Sequence, residues 1–481
     1  MQLPLTVRVR GLCLVVGVIG LLLSGLALVN PPRARADGMA TGGDLMVAQS
    51  LGERELTVIV RRAQPVPGPL RVDIVTHTGS PAGTLTLTAT PADQSGATST
   101  TTVQLGARAG PYTGTLQVDH AGPWELAVAD GQRTARIPFL VAAQVVTPWE
   151  RAAYGGFFAS GALLLVAVGT ALISKRGWAT LIPVGALIAA LTVGVTGAVL
   201  SSRAPQPRPA GSLLDPTSGN IGNPFPERDL PLTTNYSRPP VNLTVRADGP
   251  AVTGHALGVL LSLTDSATGR PVDDLLVTDD ALVHLMIVGP SGQFWHRHPV
   301  RTAPGAYQVQ LDVTEPGDYA VAAELARRGG GVQLVRSVLH VTGPALPAET
   351  GSGATTPEVD TTEMIAGQPG TLTVKFGGPA DLQPWLGMLG HLITVGPLPD
   401  NMPAGTAAAV APVWAHAHAM TPMPAVGAQI PDETVAAYGP DVPFTFTFPL
   451  PGRYLVWAQA ERGYTVLTVP HTVQVTGEDP K

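Results

Sequence analysis

The sequence has 481 residues, of which 44% are hydrophobic and only 13% are charged, and its formal net charge at pH 7 is −6. This length accommodates about three domains of ordinary size. The weak net charge is spread along the chain without a basic face, which argues against a nucleic-acid partner. The 55 glycines and 47 prolines indicate many short strands, turns and stiff linkers.

The N-terminus predicts a secretory signal peptide over residues 1–36. Two arginines precede an apolar core from Gly11 to Val29, and Ala34-Arg35-Ala36 forms a small-x-small cleavage site. An uncleaved anchor is the alternative because the apolar core is long, and either form would carry the next domain out of the cytoplasm. Cys13, the only cysteine, lies inside this segment. The mature protein would therefore have no disulfide, no thiolate copper site and no cysteine nucleophile.

Residues 44–146, domain one, predict an all-β domain because short alternating apolar runs are separated by turn residues. The pattern from Gly110 to Leu126 matches that from Gly305 to Val321, so domain one is predicted to be a diverged copy of the sandwich that follows. Its histidines, His77 and His120, lie far apart without a His-x-His motif. We interpret both as structural or partner-binding residues.

Residues 154–200 predict a transmembrane helical hairpin. The uncharged runs 154–173 and 181–200 would each cross about 30 Å, the thickness of the bilayer core. The loop 174–178 carries two positive charges, which predicts that it is cytoplasmic. A buried hairpin in a soluble protein is the alternative, but two such runs without a charge are rare in soluble cores. All three β domains would then be extracytoplasmic at the cell membrane.

The C-terminal half predicts two further β-sandwich domains after a Pro-rich linker at 201–240. Domain two spans 241–343 and domain three spans 357–477, and both show strands at the short intervals typical of Ig-like or cupredoxin-like sandwiches. The predicted fold is therefore mainly β, with three sandwich domains, a two-helix transmembrane hairpin and an N-terminal signal segment.

Domains two and three repeat one another, histidines included. The matching segments are Asp274–Leu275 and Asp381–Leu382, His284–Pro290 and His391–Pro397, Trp295–His298 and Trp414–His418, and Pro316–Tyr319 and Pro451–Tyr454. A repeat of this kind bears on the whole fold. Copied scaffolds keep turn residues for folding reasons, but folding alone gives no reason to keep three histidines in each copy.

The histidine spacing predicts that the imidazoles share one face of a hairpin. Side chains alternate along a strand, so His296 and His298 point the same way. A three-residue loop, Pro290 to Gly292, would set His284 opposite His298, whereas a four-residue loop would turn His284 to the other face. The hairpin loop of domain three, Leu398 to Pro412, is much longer and leaves its register open.

This arrangement predicts a metal site in each domain. The candidate ligands are His284, Met286, His296 and His298 in domain two and His391, His416, His418 and Met420 in domain three. Imidazole suits copper and zinc and thioether selects copper, so copper is the predicted metal and zinc the alternative. For Met286 a core-filling role competes with ligation. The sequence leaves open whether the two sites act singly or share an ion.

These motifs resemble the extracytoplasmic β-sandwich domains of the YtkA-like and FixH-like kind, which are linked to copper handling and oxidase maturation. The resemblance rests on Asp-Leu, a ten-residue step to His-Leu-x-x-Val, a later His-x-His-Pro and a late Pro-Gly-x-Tyr. It covers domains two and three, and implies that their six histidines are metal ligands. Domain three departs from the pattern because Ala419 stands where Pro299 follows the first His pair, and its loop is enlarged.

Three functions follow as hypotheses. The first is a non-enzymatic, membrane-anchored copper protein that buffers copper, exchanges it with a partner protein or serves oxidase maturation. The second is a metal-free Ig-like scaffold or interaction protein on a membrane anchor. The third is a copper-dependent oxidase subunit similar to the copper-bearing subunit of particulate methane monooxygenase. That site needs a histidine at the mature N-terminus, whereas cleavage after Ala36 leaves Asp37.

Overall fold

The computed structural model describes residues 44–61, 66–92, 96–141, 148–174, 176–203, 239–328, 330–347, 357–422 and 431–477. The predicted signal peptide and most of the predicted linker at 201–240 lie outside these residues. Within them the chain is mainly β, with three β-sandwich domains and two long apolar helices, as the sequence predicts.

Domain one is a sandwich of two four-stranded antiparallel sheets. Its strands are β1 (Leu45–Leu51), β2 (Arg54–Val60), β3 (Gly68–Thr76), β4 (Gly83–Pro91), β5 (Ser99–Leu105), β6 (Gly110–Val118), β7 (Gly122–Ala129) and β8 (Thr134–Val141). The sheets run in the orders β1-β2-β3-β6 and β5-β4-β7-β8. Alternate residues such as Leu85, Leu87 and Ala89 of β4 are buried between them, which is the pattern of a half-buried strand.

Two apolar helices follow domain one. They are α1 (Pro148–Ile173) and α2 (Leu181–Arg203), joined by a short 3₁₀ turn at Gly177–Thr180. The segments Pro148–Ile173 and Gly177–Ser202 are long and apolar enough to cross a membrane, with mean hydropathies of 2.1 and 2.0. The backbones meet closely at Gly156 and Gly194, where an added Cβ on Gly156 would collide with the facing helix. Small residues at such contacts are typical of membrane helix pairs.

Domains two and three each contain two further sheets. The strands of domain two are β9 (Val241–Ala247), β10 (Ala256–Asp265), β11 (Leu275–Leu276), β12 (His284–Val288), β13 (Phe294–Arg297), β14 (Val300–Ala303), β15 (Ala306–Asp312), β16 (Gly317–Arg327) and β17 (Gly331–Val341). The elements of domain three are β18 (Glu358–Thr361), β19 (Pro369–Lys375), β20 (Leu382–Gln383), β21 (Met388–Gly396), α3 (Ala404–Val410), β22 (Val413–Met420), β23 (Asp441–Thr447), β24 (Gly452–Arg462) and β25 (Thr465–Val475).

All three domains share one strand order. The order β5-β4-β7-β8 in domain one recurs as β13-β12-β16-β17 in domain two and as β22-β21-β24-β25 in domain three. The opposite sheets likewise contain β2-β3-β6, β9-β10-β15 and β18-β19-β23. Domain one is therefore a third copy of the same topology, but its strands equivalent to β12 and β13 carry no histidine.

The three domains pack against one another through shared apolar cores. One buried apolar core is continuous between domains one and two, and β1 forms a parallel bridge from Ser50 to Pro299. A second apolar core joins domains two and three through Met286 and Val288 on one side and Ile393 and Val395 on the other. The faces of β12 and β21 are thus pressed together.

The enlarged hairpin loop of domain three explains part of this contact. It folds into α3, whose Ala404 amide donates to the carbonyl of Pro290 at 2.8 Å. The guanidinium of Arg336 in turn donates to the carbonyl of Ala411 at 2.5 Å. The long loop, which prevents the register of domain three from being read in the sequence, therefore forms contacts that hold domains two and three together.

The repeated Asp-Leu motif has a structural reason in both copies. Asp274 pairs with Arg327 at 3.0 Å, and Asp381 pairs with Arg462 at 2.5 Å. Each pair ties the short strand at the start of the repeat to the end of the long strand that neighbours it. In domain two the pair is buried, and Arg327 also contacts Asp265 at 2.7 Å.

Arg327→Met should destabilise domain two by about 3–5 kcal/mol, because it leaves buried carboxylates without their counter-charge. The matched control is Lys375→Met, which removes an ion pair with Glu358 and Asp360 at the surface and should leave stability nearly unchanged. Denaturant unfolding of the detergent-solubilised chain, followed by tryptophan fluorescence, measures both. Equal losses in the two variants would contradict this account.

Candidate metal centre

The hairpin of domain two has the register of a three-residue loop. Gly289 donates its amide to the carbonyl of Gln293 at 2.8 Å, and Met286 lies opposite His296 in the β12–β13 ladder. The same register brings His284 beside His298, with ring centroids 5.2 Å apart. The three imidazoles therefore lie on one face, at the end of the strands that points away from the turn.

Domain three reproduces this arrangement despite its longer loop. His391 lies opposite His418, and Ile393 lies opposite His416, in the β21–β22 ladder. A register shift between Met388 and Gly390 precedes them. Because the strands pair in the equivalent register, the second trio also occupies one face of its hairpin.

The two trios meet across the domain interface. The ring centroids of His284 and His296 each lie 5.0 Å from that of His416, and His296 lies 5.7 Å from His391. These separations match those within a trio, such as 4.9 Å between His391 and His418. The two predicted sites are thus one group, the six-histidine cluster, formed by His284, His296, His298, His391, His416 and His418.

Backbone carbonyls orient the first histidine of each trio. Nε2 of His284 lies 3.0 Å from the carbonyl oxygen of Thr278, and Nε2 of His391 lies 3.1 Å from that of Trp385. A carbonyl oxygen only accepts hydrogen bonds, so Nε2 donates and Nδ1 keeps its lone pair. In both copies that lone pair faces the interior of the cluster.

The central histidine of each trio is oriented by the other domain. Nδ1 of His296 lies 2.9 Å from Oε1 of Gln459, and Nδ1 of His416 lies 3.6 Å from Oε2 of Glu324. Glu324 lies opposite His284 on β16, and Gln459 lies opposite His391 on β24, so the two are equivalent positions of the repeat. The His296–Gln459 hydrogen bond is an outer contact of the kind that fixes the ring of a metal-ligating histidine, whereas Nδ1 of His416 forms no hydrogen bond with the described residues.

The inward-facing nitrogens have the spacing of metal ligands. Nδ1 of His284 is 3.2 Å from Nε2 of His296, and Nδ1 of His391 is 3.0 Å from Nε2 of His416. A tetrahedral ion with bonds of about 2.0 Å separates its nitrogen ligands by about 3.3 Å. Two groups of three have ligand atoms that all lie within 4.8 Å of one another, namely His284, His296 and His416, and His391, His416 and His418. His416 belongs to both groups.

His298 is the predicted ligand that departs from its trio. Its place in the first ligand group is taken by His416 from the other domain. The ring of His298 still lies 4.9 Å from that of His296, and its buried Nε2 has no hydrogen-bond partner in the part of the chain that the structure describes. Its backbone amide donates to Oγ of Ser50, which attaches this edge of the cluster to domain one.

The two predicted methionine ligands occupy different surroundings. Met286 is fully buried in the apolar core between domains two and three, beside Val288 and Ile393, so packing accounts for it. Met420 is 56% exposed at the end of β22, opposite Met388. Within the described residues, the two groups of imidazole ligands and the hydrogen bonds that orient them do not involve a methionine sulfur.

Burial keeps five of the six imidazoles of the cluster in the neutral, ligating form. Removal from water lowers the pKa of His284 and holds the pKa of His296, His298 and His391 well below its usual value. For His416, burial and then the neighbouring His284 do the same to its pKa. Neutral imidazole binds metals, whereas imidazolium does not. Trp385 covers one side, with ring centroids 5.4 Å from His296 and 4.7 Å from His391.

A second polar cluster, absent from the sequence predictions, lies between domains one and three. Nδ1 of His77 is 2.8 Å from Oε1 of Glu461, and its Nε2 is 3.7 Å from Oε2 of Glu433. Burial alone would lower the pKa of His77, but the two carboxylates raise this pKa to about 9. Burial and Glu461 raise the pKa of Glu433 to about 8. His77 lies more than 350 positions from both carboxylates, so no local sequence motif indicates the cluster.

The comparisons with known proteins leave the function open. Residues 350–477 match a family described as a domain of unknown function, DUF8832, which covers domain three alone. No curated protein matches the chain.

The similar solved structures include three proteins of bacterial adhesion or surface binding among others of different kinds. One is a tetra-tandem repeat in the extending region of a large adhesion protein, which is 12% identical. The match covers 89% of this chain and 73% of that chain, with a TM-score of 0.17. The bacterial integrin-binding protein invasin has 12% identity over 87% of this chain and 59% of its own, with a TM-score of 0.14. A 1.5-MDa bacterial ice-binding adhesin is 8% identical, and the match covers 92% of this chain and 100% of that chain with a TM-score of 0.17. TM-scores this low support no inference about this chain.

The hydrogen bonds predict defined tautomers in the metal-free protein. His284 and His391 should carry the proton on Nε2, because carbonyl oxygens accept from that nitrogen. His296 should carry it on Nδ1, which faces the Gln459 oxygen. Two-bond and three-bond ¹⁵N–¹H correlation of histidine-labelled protein measures the tautomers. Rapidly exchanging tautomers at these three positions would contradict the geometry.

Proposed function

We propose that this chain is a membrane-anchored, extracytoplasmic metal-binding protein whose six-histidine cluster binds copper. One observation carries the proposal. Imidazoles from two domains converge in one group, with nitrogen separations of 3.0–3.3 Å within each trio and ring centroids 5.0 Å apart across the interface. Outer hydrogen bonds hold the lone pairs of His284, His391 and His296 inward. Structural histidines do not need this arrangement, because each could be satisfied by a single partner.

The donor set favours a borderline metal. Nitrogen ligands suit copper and zinc and exclude hard cations such as calcium, which prefer oxygen. The exposed thioether of Met420, two residues from His418, gives copper a soft contact on its way in or out. We therefore propose copper as the physiological metal and zinc as the competitor in the test.

The position of the cluster favours storage and exchange. An ion held by two domains is released when their faces separate, so a partner that loosens this interface would receive the metal. The resemblance to YtkA-like and FixH-like domains points the same way, towards copper delivery to an oxidase or another acceptor protein. The two apolar helices and the predicted signal peptide would hold the β domains at the outer face of the cell membrane.

The second candidate is a metal-free Ig-like scaffold. It is favoured by the continuous apolar core that joins domains one and two, which would hold the domains together without an ion. In this alternative the buried histidines would only share protons among themselves.

Copper titration separates the two candidates. The metal-stripped, detergent-solubilised chain should bind copper stoichiometrically, and His296→Ala/His416→Ala should reduce binding to background, because it removes the central ligand of each trio. The matched control, His255→Ala/His340→Ala, changes two exposed histidines and should bind as the wild type does. Equal binding by both double variants would leave the scaffold as the function. A parallel zinc titration ranks the two metals.

Single variants test the sharing of His416. His416→Ala should weaken copper binding more than His418→Ala, because His416 belongs to both ligand groups and His418 to one. The two positions lie on the same strand, two residues apart. Competition with a copper chelator measures the affinities. A larger loss in His418→Ala would show that the two groups do not share a ligand.

A further inference from the structure

We propose a second cation site, separate from the six-histidine cluster, in which His77, Glu433 and Glu461 bind a divalent metal between domains one and three. One ligand atom from each residue can be chosen so that all three lie within 4.8 Å of one another. One imidazole with two carboxylates is a donor set that suits zinc or manganese.

The three residues come from separate elements. His77 follows β3 of domain one, Glu461 lies near the end of β24, and Glu433 belongs to the segment before β23. All three are buried, with 6% or less of each residue exposed. A buried group of two carboxylates and one imidazole needs a compensating positive charge or a proton.

The hydrogen bonds place His77 between the two carboxylates. Nδ1 donates to Oε1 of Glu461 at 2.8 Å, and Nε2 lies 3.2 Å from Oγ1 of Thr57 and 3.7 Å from Oε2 of Glu433. Because Thr57 gives its only hydroxyl proton to Glu433, Nε2 carries a proton when no ion is bound, and a metal ion would displace a proton from His77. The hydroxyl of Thr57 donates to the other oxygen of Glu433 at 2.9 Å and fixes that carboxylate.

Two oxygens point to a missing ligand. Oε2 of Glu433 and Oε2 of Glu461 are buried, and neither has a hydrogen-bond partner among the residues that the structure describes. The nearby cations have other partners, since Arg297 pairs with Glu55 and Arg61 pairs with Asp432, Asp73 and Asp44. A divalent ion would satisfy both orphaned oxygens and neutralise their charge.

The site would join domain one to the copper-binding region. Glu461 and Gln459 project from the same face of β24, and Gln459 contacts His296 of the six-histidine cluster. Glu433 also accepts from the amide of Leu386, next to Trp385, which covers the cluster. A bound ion would therefore hold two supports of the cluster in place.

Manganese binding to the full-length, metal-stripped protein in detergent tests the site. Electron paramagnetic resonance should detect one bound Mn²⁺ per chain, and the thermal midpoint should rise with added Mn²⁺ by mass action. Glu433→Gln keeps the size and the Thr57 contact but removes the charge, and should weaken binding by at least about tenfold. Asp432→Asn, the adjacent and partly exposed carboxylate, is the matched control and should bind normally.

Three outcomes overturn the proposal. They are no Mn²⁺ or Zn²⁺ binding beyond the six-histidine cluster, equal Mn²⁺ binding by Glu433→Gln and wild type, or loss of Mn²⁺ binding in His296→Ala/His416→Ala. The first two leave a proton-sharing ion pair, and the third assigns the ion to the six-histidine cluster. If Glu433→Gln fails to fold, Glu461→Gln replaces it with the same expectation. Copper binding is measured separately, so failure of one site does not decide the other.

Discussion

The face-to-face packing of domains two and three is the contact on which the proposed centre depends. Each domain presents the same face of the same hairpin, apolar near the turn and histidine-bearing at the other end. The apolar halves, including Met286 and Ile393, form a core, and this core brings the histidine halves together. At this interface His284, His296, His298 and His391 are buried, and His416 and His418 are partly buried. Because burial excludes water, the inward-facing lone pairs can interact only with a metal ion or with a proton on a neighbouring imidazole.

The repeat explains why the centre is nearly symmetric and where it is not. Thr278 and Trp385 supply equivalent carbonyls, while Gln459 and Glu324 occupy equivalent positions but differ in charge. Gln459 accepts a hydrogen bond from His296, whereas the carboxylate of Glu324 lies 3.6 Å from Nδ1 of His416 and forms no hydrogen bond with it. The residue shared by both ligand groups is therefore held less firmly from outside than its counterpart.

Part of this could be predicted from the sequence. Period-two alternation predicts one face for His296 and His298, and the three-residue alternative for the Pro290–Gly292 loop is the one that gives the observed face of His284. The equivalent register in domain three could not be predicted, because its long hairpin loop leaves the pairing open. The convergence of the trios could not be predicted, because it depends on sheets packing across a domain boundary with no sequence-local pattern. The helix α3 could not be predicted either, because it is a short element within a long loop. The partners of His77 could not be predicted because Glu433 and Glu461 lie 356 and 384 residues further along the chain. The replacement of His298 by His416 in the first ligand group follows from the same contact.

The central claim is that one metal centre is built from both domains. Electron paramagnetic resonance of the copper-loaded full chain tests it most directly, using His284→Ala in domain two and His416→Ala in domain three, which belong to the same ligand group. We expect both substitutions to alter the same Cu²⁺ signal, because its ligands come from both sides of the interface. If the signal that changes in His284→Ala is identical to wild type in His416→Ala, the two domains do not share a centre.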